Sequence, residues 1–305
     1  MTVSNRAWAE LGILSCVWAA SFLATHAALA GLGPVTLVAL RLGGAALALW
    51  AWIALRGLAG PRGLRAWAAL AVMGLLNNAV PFFLITWGQQ SIETGLAAIL
   101  NASTALFGAL VAALLLAEER LTLRRAAGVG VGFCGVIAAV GPGALSGLDP
   151  RSLGQLAVVG AALSYAFASV WARVRLSGLH PAAAAAGMTT CGALWTWPAA
   201  LMLEGTPDLS LSAGAAAGTL WLALPGTAGA YLLYYRVLGM AGPANLMLVT
   251  MIIPPLAILI GAAVLGEALG PGAFLGMGLI LAGLAIIDGR LAAWLRGRAG
   301  TRARG

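Results

Sequence analysis

The stretch that decides the fold runs from residue 74 to residue 122, GLLNNAVPFFLITWGQQSIETGLAAILNASTALFGALVAALLLAEERLT. Two apolar spans meet in it across a short polar connection, Gln89-Gln90-Ser91-Ile92-Glu93-Thr94. Each approaches the roughly 20 apolar residues a helix needs to cross a bilayer. Asn77, Asn78 and Asn101 sit inside the spans, where an amide facing lipid would be costly. A stretch that carries polar groups at that depth must serve something other than spanning.

The rest of the chain has the same character. Of 305 residues, 61% are hydrophobic and 9% charged, and the mean hydropathy is +0.97. A soluble domain is nearer 45–50% apolar and about 25% charged, so the protein is expected to be integral to a membrane. The net charge of +8 does not point to nucleic acid: every basic residue is Arg, and their placement follows membrane topology. Cys16, Cys134 and Cys191 all fall in apolar spans, and no spacing suggests a disulfide or a metal site.

Measured against the length of a spanning helix, the chain offers ten spans, at about 7–30, 34–55, 66–88, 95–117, 124–141, 153–175, 181–203, 213–236, 243–265 and 270–288. Turn-like residues mark the short connections, among them Gly33-Pro34, Gly60-Pro61, Gly141-Pro142-Gly143, Asp149-Pro150, Gly242-Pro243 and Gly270-Pro271. The first span is read as a retained helix rather than a signal peptide, because it is long and carries Trp18, Ser21, Thr25 and His26. With the N-terminus cytoplasmic, 15 of the 17 arginines fall on the inside; only Arg151 lies outside, and Arg41 lies within a span. That alternation predicts ten helices with both termini cytoplasmic.

The two halves repeat. A shift of 148 residues lays Gly128, Gly130, Gly135 and Gly141 on Gly276, Gly278, Gly283 and Gly289, and Glu119 on Glu267. Five spans per repeat is an odd number, so the second repeat must be inverted relative to the first. The expected organisation is a first five-helix repeat over 1–148, a second over 149–290 and a basic cytoplasmic tail over 291–305. Inverted repeats of this kind place a substrate site near the bilayer midplane, between the halves.

The catalytic inventory is thin. The two histidines, His26 and His180, are far apart in sequence, and no His-x-x-x-His, Cys-x-x-Cys or Gly-x-Ser-x-Gly motif occurs. No enzyme, cofactor or metal is expected. For binding the inventory is better. Asn77 and Asn78 fall near the middle of span three, followed by Pro81, which frees a backbone carbonyl. Asn101, Thr104 and Gly108 share a face of span four, Thr227, Tyr231 and Tyr234 a face of span eight, and Trp18, Ser21 and Thr25 a stripe on span one. Pro254-Pro255 is expected to bend span nine after Thr250. Single Asn and Thr residues in membrane helices also act as glue between helices, at roughly 0.6–2 kcal/mol per contact; the asparagine pair and the prolines together favour a cavity. The repeated glycines are read as sites of close helix approach. Arg41, about 10 Å deep, is weighed as a structural residue reaching outward toward Glu93 and, second, as an anion contact.

Several of these residues resemble one known family. The Trp18-Ala-Ala-Ser-Phe motif, Pro34 followed by Arg41, and the Ala-Glu-Glu119-Arg-Leu-Thr run that closes span four are similar to the EamA family of the drug/metabolite transporter superfamily. The resemblance covers nearly the whole chain. It implies ten helices in two inverted repeats, with a central cavity lined mainly by spans 1, 3, 4, 6, 8 and 9. Members move amino acids, related metabolites or drugs, commonly outward across the bacterial inner membrane. Ala105 departs from the pattern, where a proline is usual nearby, so a bend in span four does not carry over. His26 stands where relatives often have lysine.

The expectation is therefore an all-α, multi-pass secondary transporter of the bacterial inner membrane that exports a small amino acid-like or amphipathic metabolite by alternating access. Its cavity would be lined by Trp18, Ser21, Asn77, Asn78, Asn101, Thr104, Tyr165, Tyr231 and Thr250. A passive channel and a non-transporting membrane scaffold are the rivals. The expected partners are a small-molecule substrate and the lipid bilayer, with a homodimer left open.

Overall fold

The computed structural model describes residues 4–116, 122–140, 150–241, 246 and 249–288. Glu118, Glu119, the turns at 141–143 and 149, Gly242-Pro243, Gly289 and the tail 291–305 lie outside the described residues. The chain folds as α-helices α1 (Asn5–Leu29), α2 (Pro34–Leu55), α3 (Leu64–Gly74), α4 (Val80–Gly88), α5 (Thr94–Asn101), α6 (Thr104–Leu115), α7 (Leu123–Val140), α8 (Pro150–Arg175), α9 (Pro181–Leu203), α10 (Ala213–Ala223), α11 (Ala230–Ala241), α12 (Val249–Ile260) and α13 (Pro271–Asp288). No strand occurs among the described residues.

Among the described residues, six helical stretches are long and apolar enough to cross a membrane: Asn5–Leu29, Pro34–Leu55, Leu64–Gly88, Thr94–Leu115, Arg151–Arg175 and Ala213–Ala241. Ile252–Leu265 and Pro271–Ile287 are shorter apolar helices. Large apolar side chains such as Leu47, Leu114, Leu123, Leu194 and Leu259 point away from the protein. Water would not tolerate such a surface, whereas lipid would.

Three of the spanning stretches are interrupted mid-way. A π-turn at Leu75–Ala79 joins α3 to α4, and another at Leu224–Gly229 joins α10 to α11. A proline accompanies each: Pro81 lies two residues after the first turn, and Pro225 lies within the second. A proline has no N–H for the normal i−4 carbonyl, so the ladder is locally broken and an i−5 bond is admitted: Val80 N–H donates to the Leu75 carbonyl and Ala230 N–H to that of Pro225. Between α5 and α6 the helix tightens at Ala102-Ser103 without any proline. Ser103 N–H donates to Leu100 O at 3.1 Å, and its hydroxyl doubles the bond at 2.6 Å. The interruption in doubt at Ala105 is thus present, made by a serine hydroxyl and a 3₁₀-type turn. In α12 the helix continues through Pro254 and Pro255, and the π-turn falls after them, at Gly261–Leu265.

The repeated glycines behave as expected in part. A Cβ on Gly135 would lie 2.7 Å from Ile280 N and 2.8 Å from the Gly276 carbonyl; one on Gly128 would lie 2.7 Å from the Gly283 carbonyl. These four glycines bring α7 and α13 backbone to backbone, antiparallel, with Gly128 against Gly283 and Gly135 against Gly276. Only a missing side chain permits that approach. Gly130 and Gly278, in the same register, have open space instead, so their recurrence carries no contact.

A mid-span polar site between the two halves of the chain

The first π-turn sets Asn77 and Asn78 beside each other. Asn78 is 0% exposed and Asn77 half-buried. Tyr231, in the first turn of α11, reaches both: its hydroxyl donates to Asn78 Oδ1 at 2.6 Å and accepts from Asn77 Nδ2 at 3.1 Å. Asn77 Nδ2 also leans on Asn78 Oδ1 at 3.3 Å. Tyr231 thereby joins residues more than 150 positions away along the chain. Ser164 of α8 donates to the Leu76 carbonyl at 2.7 Å, holding the turn from its other side. Asn78 Nδ2 and Asn101 Oδ1 are buried without a hydrogen-bond partner. A buried polar atom left so costs about 1–3 kcal/mol, a cost that a bound molecule could relieve.

Arg41 belongs to the same region. Its Nε donates to Thr227 Oγ1 at 2.8 Å, and its guanidinium carbon lies 3.6 Å from the centroid of the Phe82 ring. Thr227 is 1% exposed inside the second π-turn. The expectation that Arg41 reaches outward toward Glu93 is therefore overturned. Glu93 accepts from Arg151 at 3.0 Å, and a flat aromatic face and a hydroxyl hold Arg41 in the interior. Stacking on an aromatic ring suits a guanidinium because it is weakly hydrated and planar.

The other expected residues separate into distinct places. Trp18 packs against Tyr234, ring centroids 6.1 Å apart. Ser21 donates to its own helix at Val17 O (2.8 Å), as Thr104 does to Asn101 O (2.7 Å), so neither hydroxyl proton is directed at a neighbouring helix. Tyr165 packs against the buried cluster that includes Leu42 and Phe82. Thr250 is half-buried on α12. The structure thus brings together Asn77, Asn78, Tyr165 and Tyr231, adding Arg41, Thr227 and Phe82, which the sequence reading left out of the site. The available signal was that Arg41 is the one basic residue placed within a span and that Thr227 lies one turn from Tyr231.

At one end of the molecule, carboxylates from the second half cap helices of the first. Neither α2 nor α5 has a local side-chain cap. Instead Glu204 accepts from Val35 N–H (2.9 Å) and Thr36 N–H (2.8 Å), and Glu267 from Thr94 N–H (2.8 Å) and Gly95 N–H (3.2 Å). A carboxylate there satisfies orphan donors and meets the positive end of the helix dipole. Near these caps a cavity of about 370 Å³ lies among His26, Gln89, Glu93, Arg151, Leu265 and Glu267. At the opposite end Glu10 accepts from Arg6 (3.1 Å) and from Arg236 (2.5 Å). The two caps act as clasps between the halves. Each is worth about 1 kcal/mol, so Glu204→Gln with Glu267→Gln, about 2 kcal/mol together, should open the clasped end about thirtyfold more often. The readout is maleimide labelling, in detergent, of Ser91→Cys in a background whose native cysteines are replaced. An unchanged labelling rate would mean that the caps do not hold the end shut.

Fold and site together define a multi-pass helical membrane protein with a polar centre built from both halves of its chain. The model of the EamA-like transporter family matches residues 7–141 and again 152–288. The chain belongs to that family and is a membrane transporter. It is 30% identical over 292 residues to the "Probable terminal-alkyne amino-acid exporter" of Streptantibioticus cattleyicolor, covering 95% of each chain. It is 27% identical over 221 residues to Protein PecM of Dickeya dadantii, covering 72% of this chain and 73% of that one. With the "Uncharacterized inner membrane transporter YedA" of Escherichia coli K12 it shares 26% identity over 276 residues, covering 90% and 88%. A solved crystal structure superposes with a TM-score of 0.66 at 19% identity, over 92% of this chain and 96% of the other; at that identity the likeness is one of fold.

Proposed function

We propose that this protein exports a small amphipathic metabolite, amino acid-like in chemistry, across the bacterial inner membrane by alternating access. In this reading two inverted five-helix repeats, over 1–148 and 149–290, rock about the mid-span site while both termini stay cytoplasmic. The observation that carries it is the Asn77–Asn78–Tyr231 network, which joins the halves in the middle of spanning helices. A carrier needs its site at the seam that moves. The crosswise pairing of Gly128 with Gly283 and of Gly135 with Gly276 is what a two-fold axis between α7 and α13 would produce, which favours the inverted arrangement. The clasps at Glu204 and Glu267 suit a conformation closed at the outer end. The name of the Streptantibioticus relative supports an amino-acid-like substrate.

The reading is tested by comparing export from cells that overproduce the protein with export from cells lacking it, across amino acids, nucleosides and toxic amino-acid analogues. Increased efflux or resistance to at least one analogue is expected, and no difference across the set would sink the proposal. Counterflow in preloaded vesicles then separates a carrier from a channel, since only a carrier drives uphill exchange.

A further inference from the structure

We infer that Arg41 is the docking point for a substrate carboxylate, and that this charge is the counter-ion the site itself lacks. The inference rests on the export reading above and deepens it. A guanidinium inside a membrane protein requires a compensating charge or a strong reason to be there. Arg41 has a hydroxyl at Nε and a ring beneath it, which satisfy one donor and one face but no charge. Each acid whose surroundings are described is engaged elsewhere. Glu10 is with Arg6 and Arg236, Glu93 with Arg151, Glu204 and Glu267 on helix starts, and Asp208 accepts from Ser210 N–H. The remaining four, Glu118, Glu119, Asp149 and Asp288, fall in sequence at or beyond the ends of helices.

The unmet group linked to Arg41 through the Tyr231–Asn78 network is a donor. Asn78 Nδ2 is a buried donor without a partner, and Tyr231, which bonds Asn78, follows Thr227, the residue Arg41 donates to, by one helical turn. A guanidinium edge and an amide N–H ask for an acceptor carrying negative charge. A carboxylate supplies two oxygens in a plane and a single charge, matched to a single arginine. Water could fill the hydrogen bonds but not the charge, and a doubly charged phosphate would leave an excess. Arg41 is only partly exposed, so its charge is largely out of reach of bulk water.

The test uses the purified full-length protein and measures its melting temperature with L-phenylalanine, L-leucine and L-threonine, each against its amide, which keeps the shape and removes the carboxylate. At least one acid is expected to raise the melting temperature by a few degrees while its amide does not. Arg41→Gln should abolish that response, and Arg41→Lys should weaken it about tenfold in concentration dependence. The acid–amide comparison on the unaltered protein needs no variant to fold. A response to acid and amide alike, a response retained in Arg41→Gln, or no response to any of the three acids would overturn the inference. Its failure is distinguishable from failure of the export reading. An Arg41-dependent response without efflux from cells removes transport and leaves the carboxylate site standing. Efflux undiminished by Arg41→Gln does the reverse.

Discussion

Asn77→Leu is expected to cut transport by one to two orders of magnitude while leaving the amount of protein in the membrane near that of the unaltered chain. Leucine is close to asparagine in size, so helix packing is kept; what is lost is the Nδ2 donor to Tyr231 and to Asn78 Oδ1. Removing it leaves buried acceptors short of a partner, at about 1–3 kcal/mol. If that is felt mainly in the substrate-bound state, flux falls about 10- to 100-fold. Tyr231→Phe removes a single oxygen and the 2.6 Å bond to Asn78, so it should fall in the same range. Because the two changes break one shared network, the double variant should lose little more than either alone. Flux assays in vesicles with protein levels matched by immunoblot decide the matter. Normal transport by both single variants would make the amides and the tyrosine helix glue. Asn101→Leu, whose Oδ1 is buried without a partner, extends the same test to α5.

The second large effect is on assembly. Gly135→Leu should lower stability by at least about 1–3 kcal/mol, the usual cost of overpacking, and reduce membrane levels severalfold. The added side chain meets the Gly276 carbonyl and the Ile280 amide, backbone atoms that cannot rotate aside. Gly130→Leu and Gly278→Leu, in the same helices but facing open space, should be nearly neutral. Thermal unfolding of the purified variants, read side by side, checks this. Equal loss from Gly130→Leu and Gly135→Leu would mean that helix propensity or lipid packing, and not the α7–α13 contact, sets the cost.

Much of the helical organisation was legible in the chain itself. The lipid-facing majority of side chains must be apolar over a bilayer's thickness, which writes long runs into the sequence, and glycines and prolines punctuate the ends. Pro81 marked one interruption for a local reason, and Pro225 accompanies another for the same one: a residue without an N–H must disturb its own ladder. The break at Ala102-Ser103 left no such mark, because a serine hydroxyl makes it by bonding backward within its own turn. At Pro254 and Pro255 the helix runs on, and a π-turn follows them at Gly261–Leu265.

The centre of the molecule divides in the same way. The sequence by itself determined that Asn77 and Asn78 lie mid-span, because depth along a helix is a matter of counting residues. Only the tertiary structure decided which of the polar residues meet. Arg41 turns from the expected Glu93 to Thr227 and Phe82, while Ser21 and Thr104 turn back on their own helices. The glycines at 128 and 135 pair crosswise with 283 and 276, and 130 and 278 pair with nothing. The physical reason is that an apolar helix tells its neighbours little about rotation or partner. In a membrane both faces can be apolar, and the choice is made by a few short-range contacts. A hydroxyl at 2.8 Å, a ring at 3.6 Å and a missing Cβ fixed these contacts, and they exist only once the helices are together.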